Sequence, residues 1–122
     1  MHAKAFDAAK ATRCAADQGK YWEMHERLFA NQQALEPWNG HAEAIGLKVP
    51  DFEACMKSDK HDEAIRADQK EAQKAGFTGT PSFLLAFTDP KDPKKVKGIS
   101  GMVGARPFDS FKAEIEKALA AK

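Results

Sequence analysis

At 122 residues the chain is long enough to bury the core of one domain, and no internal boundary is expected across 1–122. Its 19 Lys and Arg against 18 Asp and Glu leave a net charge of +1, which argues against nucleic acid or an anionic membrane surface as a partner. No apolar run approaches the ~20 residues of a membrane span, and the opening MHAKAFDAAK lacks the apolar core of a signal peptide, so neither a membrane segment nor an export signal is expected.

From Ala3 to about Asp17 the sequence is alanine-rich and free of glycine and proline, which predicts a helix ended by Gly19. Tyr21 to Asn31 (YWEMHERLFAN) sets Tyr21, Met24 and Leu28 on one stripe and Trp22 and Phe29 on an adjacent one. That wide apolar face predicts the helix most committed to the core, and packing explains its aromatics better than a cofactor pocket does. Glu36 to Gly40 reads as a loop, followed by a short helix from His41 that is stopped by Gly46. Pro50 suits the first turn of the next helix, where Phe52, Cys55 and Met56 share one face. A polar-rich helix then runs to Gly76, with Ser58 or Asp59 available to cap it.

Gly76 to Phe87 (GFTGTPSFLLAF) joins a helix stop, a proline turn and a strand. Pro81 cannot donate to a ladder and pushes Thr80 toward extended backbone, so the strand is expected from Ser82 to Phe87, apolar at both parities as if covered on both faces. TDPKDPKK reads as a solvated turn whose lysines need no ligand to explain them. Val96 to Val103 then gives a second strand, its glycines marking a bulge or a close approach, and the two strands form a hairpin. Pro107 opens a last helix with Phe108, Phe111, Ile115 and Leu119 at helical spacing. A two-stranded hairpin is marginal alone and leaves a backbone edge open, so helices, a second copy of the chain or further polypeptide should cover it.

Four segments in this order, ATRCAADQGKYWEMHERLFANQ, FEACMKSDKH, GFTGTPSFLL and GARPFDSFKAEIEKAL, resemble the DsbA-like branch of the thioredoxin superfamily. The resemblance covers nearly the whole chain and implies an α/β thioredoxin-like fold of DsbA type. Residues 1–75 would be the helical insertion, and 76–122 the cis-proline loop, β-hairpin and terminal helix of the thioredoxin half. It implies a cis bond before Pro81, with Gly79, Thr80 and Pro81 holding cysteine-containing polypeptide substrates. It also implies a periplasmic or other extracytoplasmic setting for a full-length parent. The family places its catalytic CxxC on a helix after an early strand, and this sequence contains no such pair, as if only the C-terminal two-thirds of the domain were present.

Cys14 and Cys55 lie on helices beside apolar neighbours, as inert buried cysteines do. Members of the family with cysteines at these places resemble proteins that pair them, so a structural bridge and two free buried thiols both stay open. No two of His25, His41 and His61 have ligand spacing on a common helix face, so surface histidines rather than a metal site are expected. No cofactor is implied. Three readings follow: a DsbA-family thiol–disulfide oxidoreductase domain without its catalytic pair and inactive alone, a non-catalytic peptide-binding module, or a fragment that homo-oligomerises through the strand edge Ser82 to Phe87.

Overall fold

The computed structural model describes residues 2–121. Its elements are α1 (Ala5–Ala16), α2 (Tyr21–Ala30), α3 (Trp38–Ala44), α4 (Val49–Lys57), α5 (Asp62–Lys74), β1 (Ser82–Thr88), β2 (Val96–Val103) and α6 (Phe108–Ala120). One device ends α1, α3 and α5. Gly19, Gly46 and Gly76 stand at φ 75°, 77° and 82°. In each case the following residue's N–H reaches back to a carbonyl of the last turn: Lys20 to Ala15, Leu47 to Ala42 and Phe77 to Ala72. A left-handed residue with this bond is how a helix satisfies its orphan carbonyls and turns away.

The chain divides into two compact units, Met1–Glu71 and Ala72–Lys122. In the first, α1 packs against α2 and α4, and α3 against α2 and α4. The core is Ala11, Cys14, Ala15, Met24, Leu28, Ala42, Leu47 and Phe52. Alanines at 11, 15 and 42 keep the helix axes close. Phe52 and Met24 fill the space between them, each stabilising by roughly 1.5–3 kcal/mol. Polar pins fix the connections. Gln18 and Lys48 exchange two hydrogen bonds, at 2.8 and 3.2 Å, and Lys20 Nζ donates to the Ile45 carbonyl at 2.7 Å.

Three expectations are corrected in this unit. Only Met24 and Leu28 of α2 are buried, while Trp22 is 66% and Phe29 64% exposed, their rings gathered around His25. The core receives one side of the helix, because α2 packs against α1 and α3 and the rings of Trp22 and Phe29 stand outside those contacts. The helix expected from His41 starts at Trp38, since Pro37 sits at its cap in extended backbone and turns the chain directly into it. His41 is buried rather than at the surface. Arg27 Nε donates to its Nδ1 at 3.1 Å, so Nε2 carries the hydrogen donated to the Ala34 carbonyl at 2.8 Å.

In the second unit β1 and β2 form an antiparallel pair, with Ser82 opposite Val103 and Thr88 opposite Val96. Leu85 faces Ser100 and Ala86 faces Gly98, so Ile99 is an extra residue and the glycine-rich stretch contains a bulge. Asp89 carries the turn, its carboxylate accepting from the N–H groups of Lys91 and Asp92. α6 lies on one face of the hairpin, where Phe111 meets Phe83 edge to face at 4.9 Å and Ser100 Oγ donates to Glu114 at 3.1 Å. β1 is not covered on both faces, since Leu84 is 50% exposed, and the α6 stripe is largely unburied, with Phe108 at 77%. Two strands and one helix offer too little surface to cover both sides of either element.

Candidate functional site

Two constellations carry chemistry, one in each unit. In Ala72–Lys122 it is the loop Gly79–Thr80–Pro81, and the Thr80–Pro81 bond is cis. Glu36–Pro37 is cis as well, a bond with no signal in the sequence. The loop is tied to the end of β2: the Gly104 N–H donates to the Pro81 carbonyl at 2.8 Å, and Ser82 Oγ donates to the Gly79 carbonyl at 2.6 Å. A Cβ on Gly79 would sit 3.8 Å from Val103 Cγ1, so the loop backbone runs close along the strand end. Thr80 and Pro81 themselves face solvent. Among the described residues β1 has one strand neighbour, β2, so the loop leads into a strand whose other edge meets no strand. Backbone donors and acceptors in that position suit an added extended segment.

In Met1–Glu71 the constellation surrounds the two cysteines. Cys14 on α1 and Cys55 on α4 are joined in a disulfide, with Cα atoms 5.9 Å apart. Of the two states left open by the sequence, the structure shows the bridge. Asp17, one helical turn beyond Cys14, points its carboxylate over it. Asp17 Oδ2 accepts from Lys60 Nζ and from His61 Nε2, both at 2.9 Å. Burial works to raise the Asp17 carboxyl, but hydrogen bonds from Lys60 and His61, together with their charge, outweigh it and hold it below the ordinary carboxylate range. Cys55 Sγ lies 3.6 Å from the same oxygen, a contact rather than a hydrogen bond, because a bridged sulfur has no hydrogen to donate.

An open groove of about 360 Å³ exposes this cluster, lined by Cys14, Asp17, Cys55, Ser58 and Lys60 among others. The two sulfurs and a ring nitrogen of His61 all lie within 4.8 Å of one another. No ligand spacing on a common helix face links the histidines, yet the fold gathers one of them with both cysteines from three separate segments. Asp17 had a local signal, its i,i+3 relation to Cys14, whereas Lys60 and His61 reach the bridge only through the turn between α4 and α5.

An α/β chain with a loop of this geometry entering a hairpin that packs under a terminal helix falls within the thioredoxin class. The family model of the DSBA-like thioredoxin domain matches residues 1–116, and the chain belongs to that family, whose members include thiol–disulfide oxidoreductases. Among curated proteins it is similar to the Na(+)/H(+) antiporter NhaA 1 of Mycobacterium sp. (strain KMS), 36% identical over 75% of this chain and 16% of that protein. It is likewise similar to the Na(+)/H(+) antiporter NhaA 3 of Salinispora tropica, 30% identical over 84% of this chain and 16% of the relative. A third, the Na(+)/H(+) antiporter NhaA of Herminiimonas arsenicoxydans, is 35% identical over 64% of this chain and 13% of its own length. The chain thus spans a small part of the relatives it matches. No solved structure matches it. No described helix is long and apolar enough to cross a membrane.

Proposed function

We propose that this chain is the substrate-holding part of a DsbA-family thiol–disulfide oxidoreductase, binding extended cysteine-containing polypeptides along β1 beside Gly79, Thr80 and Pro81 and performing no redox turnover alone. The observation that carries this is the strand edge of β1, which follows directly on an exposed loop pinned to the end of β2. Strand addition takes its affinity from backbone pairing and its selectivity from side chains at alternate positions. Both cysteines of the chain are consumed in the bridge of the other unit, which supports the absence of a catalytic pair. A bridge of this kind persists in oxidising compartments, which supports an extracytoplasmic setting. The relatives named as antiporters contain the matched segment within much longer polypeptides, which supports a module that works as part of a larger chain.

The test is an amide chemical-shift titration with an extended peptide containing one cysteine and with its serine counterpart, run beside an insulin-reduction assay. Shifts concentrated at 79–88 for both peptides, with no insulin turnover, are expected. Turnover by this chain, or shifts that avoid that segment, would refute the reading. Self-association through the same edge is the second reading, favoured by exposed Phe83 and Leu84 on β1. A strict monomer in sedimentation at high concentration would exclude it.

A further inference from the structure

The cluster at the cysteine bridge is more than a cross-link with a charged neighbour. We propose that reduction converts it into a divalent-cation site of zinc type, with Cys14, Cys55 and His61 as ligands and Asp17 supplying the fourth donor. The donor set suits a borderline-soft cation: thiolate, imidazole and carboxylate are the donor types zinc takes, and it binds four such donors tetrahedrally. Three of the donors are gathered already, and Asp17 touches two of them. Asp17 Oδ2 stands 2.9 Å from His61 Nε2 and 3.6 Å from Cys55 Sγ, and both sulfurs lie within 4.8 Å of a His61 ring nitrogen. Tetrahedral ligands at zinc–sulfur distances sit about 3.8 Å apart, so the sulfurs need only separate by side-chain rotation on helices whose Cα atoms are 5.9 Å apart.

The surroundings fit as well. Cys14 is fully buried on α1 and His61 is largely covered, so two ligands are held in place by packing. The groove over Cys55 gives a cation its entry. Lys60, the cation that now occupies the Asp17 carboxylate, is mostly exposed and free to swing into solvent when a metal replaces it. In the bridged state the sulfurs have no thiolate to offer, so the site exists only after a two-electron reduction. A dithiol or a phosphine supplies those electrons. The S–S bond breaks and its sulfurs take two electrons and two protons: a dithiol gives up both protons as it closes to a disulfide, whereas a phosphine becomes its oxide with water supplying the oxygen and the protons. The incoming cation then displaces both thiol protons to solvent and leaves the thiolates bound to metal. Metal held there keeps the pair reduced and replaces the lost covalent tie between α1 and α4 with a coordinate one.

Cobalt(II) and zinc(II) titrations of the full chain, with and without a phosphine reductant and under argon, test this. The reduced chain should bind one equivalent of cobalt with thiolate-to-metal charge-transfer bands and intense visible bands of tetrahedral geometry, displaced by zinc, while the oxidised chain binds none. His61→Ala should weaken cobalt binding by about tenfold or more, and Cys55→Ser should remove most of the charge-transfer intensity. Helical circular dichroism of the reduced chain, with and without zinc, separates binding from folding: zinc should preserve or restore the helical signal. Cobalt binding of equal strength to the oxidised chain, His61→Ala binding as tightly as the parent, or the same affinity in chain unfolded by urea would each overturn the proposal.

Discussion

Removing the Cys14–Cys55 bridge is the most informative perturbation of stability. It spans a sequence separation of 41 and ties α1 to α4 across the core of the helical unit. In the chain-entropy model a loop of that length restricts the unfolded chain by about 13 cal/mol/K, or about 4 kcal/mol at 25 °C. The packing loss in Cys14→Ala/Cys55→Ala is small by comparison, because Ala11 and Ala15 already show that this face of α1 accepts alanine. With a urea m-value of about 1.5 kcal/mol/M the midpoint should fall by roughly 2.5 M. Urea titrations followed by helical circular dichroism, on oxidised parent and double variant, measure it. A loss below about 1 kcal/mol at unchanged m-value would refute the reasoning, showing that the bridge does not confine the unfolded chain as its length requires.

The burial of Phe52 and the exposure of Trp22 and Phe29 predict a sharp contrast. Phe52→Ala should cost about 3–5 kcal/mol in urea unfolding, whereas Trp22→Ala and Phe29→Ala should each cost under about 1 kcal/mol, since those rings stand mostly in solvent. Equal costs at the three positions would contradict the burial described above. Lys10 lies 3.1 Å from the Asp62 carboxylate, both largely covered, and Asp62 Oδ1 accepts no directed hydrogen bond. Lys10→Met therefore leaves a largely covered charge uncompensated and should destabilise by about 2–3 kcal/mol, with Asp62→Asn in the same background restoring part of it; a double-mutant cycle with no coupling would refute this. Asp17→Asn removes the charged acceptor shared by Lys60 and His61 and should cost about 1–2 kcal/mol in the oxidised protein by thermal unfolding. A variant as stable as the parent would show that these exposed contacts contribute nothing.

Local signals in the sequence mark the ends and types of the elements. Gly19, Gly46 and Gly76 mark helix stops because only glycine takes the left-handed backbone at little steric cost, and all three stand at positive φ. Thr80–Pro81 marks the start of β1, and the glycines of β2 mark a bulge, since each restricts or frees its own backbone regardless of what surrounds it. The order of motifs was enough for membership in the DSBA-like thioredoxin family, which the match over 1–116 shows. Which face of an element becomes core was not legible. Trp22 and Phe29 fall at helical spacing as Met24 and Leu28 do, and only the side of α2 that meets α1 and α3 decides which stripe is enclosed. The bridge, left open as one of two states, required α1 and α4 to come within reach. The meeting of His61 and Asp17 with both sulfurs depends on three chain segments converging, and side chains distant in sequence carry no pattern that announces such convergence. Composition and local backbone chemistry thus determined the parts, and long-range packing alone decided which of them touch.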